Sequence, residues 1–186
     1  MNQTMVYISK LFSDDFINYR ESVVEPLPKR PGCDSFDNYA NGQKVTDPSK
    51  HNHTKFIDPG TSAYKQISTV ALDYVNLHST SFNVDYYQTL APIQYGVYEA
   101  GSAYKMHNDS LSDPKILFNR KLTIVCLLSD PTEFTGGHLN FAAKQDVIKV
   151  RGSAVLFPSY LYHSVSPITS GIRKTLVCMI LGPQWR

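Results

Sequence analysis

The pattern of apolar and polar positions divides the chain into a helical first part and a strand-rich second part. Apolar residues recur at helical spacing over residues 16–24, directly after Ser13, which is a good N-cap residue. A second stripe of the same period predicts a helix over about 62–79. Residues 26–60 are rich in Pro, Gly, Asn and Asp and show no clear period. We expect this segment to be irregular, either as a lid or substrate loop or as a passive surface wrap.

From Ile93 onward, short apolar runs alternate with turn residues. The predicted strands are 93–99, 103–108, 121–129, 138–142, 146–150, 153–157, 161–166 and 172–181. Short strands with frequent turns and no helical pattern between them indicate a mainly β protein, a sandwich or jelly roll. The N-terminal helices would pack on one outer face of it. We expect a single domain over 1–186, with a helical and loop part over 1–90 and a β core over 91–186.

Composition and charge narrow the classes of partner and compartment. A chain of 186 residues fits one domain. Its formal net charge of +2 is too small to indicate nucleic acid or a membrane as a partner. Cys33 leaves an odd cysteine count, and Cys126 and Cys178 lie inside apolar runs, which argues against a disulfide framework. The N-terminus resembles no signal peptide, and no apolar run has the length of a membrane span. We therefore expect a cytoplasmic protein.

Three residues are of the types that commonly bind a metal ion. His107 and Asp109 are two positions apart at the end of a predicted strand, so their side chains point to the same side and can reach one ion. The next candidate ligand is His163, in the run LYHSV. Two histidines and one carboxylate leave open positions on iron(II), which suits a non-haem oxygenase. An H-x-D tripeptide alone is weak evidence, because most such matches are solvated turn residues.

Arg173 lies on a predicted strand in which both faces are mainly apolar. Alternation places Arg173 and Thr175 on one face, with Leu176 and Cys178 on the other. A buried guanidinium needs an anion, and the neighbouring predicted strands offer no obvious carboxylate. A bound dicarboxylate would supply one through a fork-shaped contact. The alternative is that Arg173 lies at a strand end and reaches water.

Taken together, these motifs resemble a known family. The order is H-x-D, then GGHLNF (136–141), then GSAVLFPSYLYHSV (152–165), then Arg173, ten residues after His163. This order is similar to the 2-oxoglutarate and Fe(II)-dependent dioxygenase superfamily, closest to its prolyl 4-hydroxylase-like branch. The resemblance covers about residues 93–183. It implies a double-stranded β-helix, which is a form of jelly roll.

The resemblance also implies roles for individual residues. The catalytic iron(II) ligands would be His107, Asp109 and His163. The 2-oxoglutarate site would be formed by Arg173 at the distal carboxylate, with Tyr98, Thr175 and Leu139. A core tyrosine is the alternative for Tyr98. Some relatives carry a second co-substrate tyrosine on the strand matching 121–129, where this sequence has Cys126 and Leu127.

The implied activity is hydroxylation of a C–H bond with iron(II), 2-oxoglutarate and O2. Asp109 favours hydroxylation, because halogenating members of the superfamily lack this carboxylate. A prolyl residue in a peptide or protein is the first substrate hypothesis, and a free amino acid or small metabolite is the second. Nucleic acid is not expected, because Met179 stands where AlkB-type dealkylases carry a second Arg. A cupin-like metal-binding protein and a non-catalytic jelly-roll module remain alternatives, and the sequence leaves the oligomeric state open.

The other histidines fit simpler explanations. His51 and His53 lie in a Pro- and Asn-rich stretch without a third ligand nearby, so we expect a solvated loop there. His138 follows Gly137 on a predicted strand, where it could contact the mouth of the site. His78 falls on the helical stripe and is expected to be packed.

Overall fold

A computed structural model describes residues 5–24, 26–27, 30–31, 53–113, 115–142, 148 and 150–185. In the N-terminal part, the elements are β1 (Val6–Ile8), α1 (Asp14–Val24), β2 (Arg30–Pro31), β3 (His53–Ile57) and α2 (Ser62–His78). The strands that follow are β4 (Ile93–Tyr98), β5 (Tyr104–His107), β6 (Phe118–Leu127), β7 (Phe134–Gly136), β8 (Leu139–Phe141), β9 (Ala154–Pro158), β10 (His163–Val165), β11 (Ile168–Gly171) and β12 (Arg173–Pro183). Short 3-10 helices span Ser79–Ser81 and Pro131–Glu133.

A seven-stranded sheet forms the main layer. Its strand order is β1-β9-β6-β12-β4-β3-β2, and every neighbouring pair is antiparallel. The long strands β6 and β12 lie at the centre and pair from Thr175 opposite Leu127 to Pro183 opposite Phe118. Residues 119–127 of β6 are all buried, because both faces of this strand meet packed layers. That burial explains the nearly continuous apolar run from Leu122 to Leu127.

A three-stranded sheet, in the order β5-β10-β8, is the second layer, and β7 pairs with β11 beside it. One apolar cluster contains residues of both sheets and includes Tyr98, Leu127, Leu139, Phe157 and Val165. A second cluster lies on the other face of the large sheet, where that sheet meets the helices. The molecule therefore has two cores, one between the sheets and one beneath the helices.

The helices form for the local reasons that the sequence indicates. The Ser13 hydroxyl accepts a hydrogen bond from the Phe16 N–H at 3.2 Å, and Thr61 caps α2 by accepting from the Tyr64 N–H at 3.1 Å. The stripe of α2 that includes Ile67 and Ala71 is fully buried against the large sheet. The expectation that the helices cover one outer face is thus confirmed.

The two predicted helices and seven of the eight predicted strands are present with small shifts in their ends. The eighth, 146–150, falls mostly outside the described residues, and within it Ile148 and Val150 lie in no strand. Strands β1, β2, β3, β7 and β11 were not predicted. Each has five or fewer residues, too few for alternation to stand out from the surrounding sequence.

The segment 26–60 is only partly irregular. Strand β2 lies near its start and β3 near its end, and the two pair with each other. His53 therefore begins β3, which lies between β4 and the outermost strand β2, so the prediction of a loop there is wrong, although its side chain is exposed. His51 and most of the proposed lid fall outside the described residues. Among the described residues, no helix has the length and apolar character needed to cross a membrane.

Candidate active site

Two histidines face each other across the small sheet. His107 ends β5 and His163 begins β10, and the two residues are direct partners in the antiparallel ladder. Directly opposed residues project to the same face, so their rings lie 4.3 Å apart between centroids. The strand pairing thus brings together residues that are 56 positions apart in the sequence (163 minus 107).

Each histidine is held in a defined tautomer by its own strand. The Nδ1 atom of His107 lies 2.8 Å from the Lys105 carbonyl oxygen, and that of His163 lies 3.0 Å from the Leu161 carbonyl oxygen. A carbonyl oxygen can only accept, so each Nδ1 must carry the proton and donate. The lone pair of each Nε2 is therefore available, as a neutral metal-ligating imidazole requires.

Asp109 completes the group. Its carboxylate oxygens lie 3.8 Å from the Nε2 of His107 and 3.7 Å from that of His163. Both separations exceed hydrogen-bonding distance. The ligand atoms of the three residues all lie within 4.8 Å of one another. Two imidazole nitrogens and one carboxylate oxygen form the donor set expected for a non-haem iron(II) site, so the residues fit this metal.

The Asp109 carboxylate is supported from the large sheet. The Thr123 hydroxyl lies 2.9 Å from the Asp109 Oδ2 and 2.9 Å from the Ser159 hydroxyl. The Asp109 N–H donates to the Ser159 carbonyl at 2.8 Å, and Arg120 donates to the Asp109 carbonyl at 3.2 Å. The supporting roles of Thr123, Ser159 and Arg120 were not predicted from the sequence. The available signal was Thr123 itself, the single polar residue in the run LTIVCLL.

The ligand group lies against an apolar wall. Phe157 and Phe141 pack on the His163 ring, at 5.0 and 5.8 Å between centroids, and Tyr104 lies edge-on to His107 at 3.8 Å. Asp109 and His163 are buried, whereas His107 is partly exposed. Solvent therefore reaches the group from the His107 side.

Arg173 lies at the start of β12 and is buried, with 3% of its surface exposed. It pairs with Tyr98 on β4, and its guanidinium carbon lies 5.4 Å from the centroid of the Tyr98 ring. Thr175 and Tyr98 both lie next to Gly96. A Cβ atom placed on Gly96 would be 3.0 Å from the Thr175 Oγ1 and 3.1 Å from the Tyr98 ring. The structure thus brings Arg173, Tyr98 and Thr175 to one face of the large sheet. The alternative in which Arg173 simply reaches water is wrong.

A cavity of about 390 Å³ opens beside Arg173. Its lining includes Leu127, Gly137, His138 and Ile148, and none of the three metal-ligand candidates. His138 is exposed there, near the position expected for it. Leu139 follows on β8 and is buried in the core between the sheets.

The family model of the 2OG-Fe(II) oxygenase superfamily matches residues 93–180, the segment that carries the whole site. The chain is similar to this superfamily over the matched segment, which is a little under half of its 186 residues.

Among curated proteins, the chain is 31% identical over 123 residues to the PKHD-type hydroxylase YbiX of Shigella boydii. The match covers 63% of this chain and 55% of that protein. The chain spans about half the length of the curated relatives it matches.

Solved structures share the fold of this chain. It superimposes with a TM-score of 0.70 and 16% identity on the viral collagen prolyl hydroxylase vCPH of Paramecium Bursaria Chlorella virus-1, solved with 2OG, covering 98% of this chain and 97% of that one. A Pseudomonas putida prolyl-4-hydroxylase matches with a TM-score of 0.70 and 18% identity, covering 99% and 95%. The prediction of a double-stranded β-helix with N-terminal helices is thereby confirmed.

Proposed function

We propose that the protein is an Fe(II)- and 2-oxoglutarate-dependent dioxygenase that hydroxylates a prolyl residue in a peptide or protein. The observation that carries this proposal is the convergence of His107, Asp109 and His163 with both imidazoles held in the ligating tautomer. The position of Arg173, buried on the wall of a cavity of about 390 Å³, favours an oxygenase with an anionic co-substrate over a cupin-like protein without oxygenase activity. The superfamily match also favours the oxygenase over this alternative.

In this proposal, His107, Asp109 and His163 hold the metal. When bound, iron(II) and 2-oxoglutarate supply the activation of O2, with decarboxylation of 2-oxoglutarate to succinate and CO2 and oxidation of a substrate C–H bond. The protein supplies two neutral imidazoles and one negative carboxylate, so a net positive charge remains at the metal to attract an anionic co-substrate. The aromatic wall of Phe141 and Phe157 keeps water from the His163 side.

The proposed co-substrate site joins the ligand group to Arg173. The Arg173 guanidinium would bind the distal carboxylate of 2-oxoglutarate, because a planar fork fits a carboxylate through two hydrogen bonds. The Tyr98 and Thr175 hydroxyls would complete its hydrogen bonds from the same face. Leu139 lies in the core between the two sheets and would contact the aliphatic carbons.

A peptide substrate is supported by the surface next to the site and by the relatives. Tyr160 and Tyr162 are 48% and 57% exposed and flank the chain turn that leads to His163. Such amphipathic rings pack well on a proline ring and can donate a hydrogen bond to a peptide carbonyl. The solved structures of the same fold include enzymes named as prolyl hydroxylases. A free amino acid or small metabolite is the second candidate, since the cavity of about 390 Å³ would also admit one.

The first test is anaerobic addition of iron(II) and then 2-oxoglutarate to the full chain. We expect a weak visible charge-transfer band of the iron–2-oxoglutarate chelate in the wild type and none in His163→Ala. The absence of the band in wild-type protein, with folding verified by circular dichroism, would overturn the proposal.

The second test addresses the substrate. The test compares three substrates: proline-containing peptides, the same peptides with alanine in place of proline, and free proline. The two measurements are stimulated succinate release and a gain in peptide mass of about 16 Da, the mass of one oxygen atom. We expect stimulation and the mass gain only with the proline-containing peptides. Stimulation by free proline alone would favour the metabolite alternative.

A further inference from the structure

We propose that Thr123 and Ser159 are positioning residues for the metal, which act by fixing the carboxylate of Asp109. This inference rests on the proposed function. Neither hydroxyl belongs to the ligand group, and both come from the large sheet or its margin, whereas the histidines belong to the small sheet. The hydroxyl pair therefore ties one ligand to the opposite layer of the molecule.

The three side chains form a continuous chain of hydrogen bonds in the interior. The distance from the Asp109 Oδ2 to the Thr123 Oγ1 is 2.9 Å, and from that atom to the Ser159 Oγ it is again 2.9 Å. Thr123 and Ser159 are fully buried, and Asp109 is 7% exposed. Buried hydrogen bonds in a low-dielectric region are strong, and those to an ionised group are the strongest.

The direction of the chain follows from the ionised end. A carboxylate can only accept, so the Thr123 hydroxyl donates to Asp109. That hydroxyl has one proton, so it must accept from Ser159, whose hydroxyl donates to it. Removing the Ser159 hydroxyl would therefore leave Thr123 free to rotate away from Asp109.

The consequence concerns which carboxylate oxygen is available. Thr123 binds Oδ2, while no described residue donates a hydrogen bond to Oδ1. The backbone N–H of Asp109 is fixed as well, by the Ser159 carbonyl. Main chain and side chain of Asp109 are thus both held by the same two-residue support, with one oxygen left for the metal.

One-oxygen binding is what the reaction needs. With three protein ligand atoms, a bound iron(II) would keep positions open for 2-oxoglutarate and O2. An Asp109 that rotated to bind through both oxygens would occupy one of these positions. We therefore assign to Thr123 and Ser159 the preservation of an open coordination position, in addition to metal affinity.

Buried hydroxyls need hydrogen bonds wherever they occur, so Thr123 and Ser159 could have a purely structural role. The variants below distinguish that role from support of a metal ligand. The test variants are Thr123→Val, which keeps the shape and loses the hydroxyl, Thr123→Ser, which restores the hydroxyl, and Ser159→Ala. Ser153→Ala is the matched control, since Ser153 is also fully buried with a hydrogen-bonded hydroxyl but lies at the opposite end of β9. Cobalt(II), a redox-stable substitute for iron(II), is titrated into each metal-free protein by calorimetry and by its visible spectrum.

We expect Thr123→Val to weaken cobalt(II) binding about tenfold to a hundredfold, as other residues that orient metal ligands do. Thr123→Ser should restore most of this affinity, Ser159→Ala should give a smaller loss, and Ser153→Ala should leave it unchanged. The cobalt(II) spectrum of Thr123→Val should also change in shape. In an Asp109→Ala background, Thr123→Val should have no further effect on affinity, because it acts through Asp109.

The outcomes separate this inference from the proposed function. Wild-type protein that binds no cobalt(II), or Asp109→Ala with unchanged affinity, would overturn both. A lowered affinity in Asp109→Ala together with wild-type affinity and spectrum in Thr123→Val would overturn the positioning role alone. Equal losses from Thr123→Val with and without Asp109 would also overturn it. If Thr123→Val does not fold, Ser159→Ala carries the same comparison, and an affinity equal to that of Ser153→Ala would then contradict the inference.

Discussion

At the residue scale, the molecule uses its main chain to prepare side chains for chemistry. His107 and His163 each donate to the carbonyl two residues earlier in the chain. Because this partner is local, the tautomer of each ring is set by the backbone next to it. The proposed metal ligands are therefore organised by backbone geometry before any ion binds, which lowers the reorganisation that binding requires.

The first residue-scale prediction concerns Arg173, the proposed co-substrate anchor. Loss of one member of a buried charge pair costs roughly 3–5 kcal/mol, so Arg173→Ala should weaken 2-oxoglutarate binding by at least about two orders of magnitude. Arg173→Lys should be intermediate, since it keeps the charge and loses the fork. The measurement is 2-oxoglutarate titration of the cobalt(II) protein. Unchanged affinity in Arg173→Ala would contradict the assignment, and cobalt(II) affinity should stay near the wild-type value in both variants.

Gly137 gives a second prediction, because it controls the space beside the same arginine. It has φ +66, and a Cβ placed there would lie 2.7 Å from the Arg173 Cδ and 2.3 Å from the Ile168 Cδ1. Gly137→Ala should displace the Arg173 side chain and weaken 2-oxoglutarate binding about tenfold, a cost of about 1.4 kcal/mol. Gly101→Ala is the control, since Gly101 has φ +89 and nothing within 4 Å of its Cβ position. Equal effects of the two variants on 2-oxoglutarate binding would show that backbone strain alone is responsible.

The third prediction concerns the thiols. Burial raises the pKa of the Cys126 thiol well above its usual range and raises that of Cys178 to about 12. A raised pKa keeps both groups protonated at pH values below it, so the reactive thiolate is scarce at neutral or mildly alkaline pH. We expect iodoacetamide to leave both cysteines unmodified in the folded protein at pH 8 and to modify both after denaturation, as read by peptide mass. Modification of either in folded protein would show that β6 or β12 opens.

Part of the site could be predicted from the sequence and the rest could not, for physical reasons. The spacing at the end of one predicted strand indicated that His107 and Asp109 can bind the same ion, because side chains at positions i and i+2 of an extended segment point to the same side. Thr123, Ser159 and Gly137 were missed, because their contacts join elements that are distant in sequence. Their importance depends on strand register, and periodicity does not report which residue stands opposite which.

At the element scale, every long element was predictable, whereas only some of the short strands were. Strands β6 and β12 have apolar runs that exceed what a turn or loop would contain. Helix α2 was predicted from its period. By contrast, β2 has two residues and β1 has three, and each is a strand only because a neighbouring strand supplies its hydrogen bonds.

An element-scale prediction follows for α2. Thr61 caps this helix, so Thr61→Ala should lower the free energy of unfolding by about 1 kcal/mol. Thr69 lies in the middle of the same helix and bonds back to the Lys65 carbonyl, so Thr69→Ala should be neutral or slightly stabilising. Urea denaturation of the metal-free proteins measures both. The prediction is wrong if the two substitutions destabilise equally.

At the scale of the whole molecule, the site connects the two sheets. The histidines belong to the small sheet, and the hydroxyl that supports Asp109 belongs to the large one. A ligand that binds only the folded protein stabilises it in proportion to the logarithm of its concentration over the dissociation constant.

We therefore expect the thermal midpoint to rise on addition of cobalt(II). The free energy of unfolding should increase by about 2.7 kcal/mol when the free cobalt(II) concentration is about a hundred times the dissociation constant. His163→Ala should lose this gain, and its metal-free midpoint should also fall because the side chain is buried, so the shift on addition of cobalt(II) is compared within each protein. Calorimetry with and without metal provides the comparison, and an equal gain in His163→Ala would place the metal elsewhere.

The strand order of the large sheet has a consequence for solubility. Its outer strands, β1 and β2, and the neighbouring β3 all come from the N-terminal part of the chain, before the segment 93–180 that carries the chemistry. Without them, β9 and β4 would become the margins of the sheet and present rows of unpaired N–H and C=O groups. Such open margins pair readily with those of another copy and promote aggregation. The N-terminal strands thus act as terminators of the sheet, and a shortened protein that kept every catalytic residue would tend to polymerise.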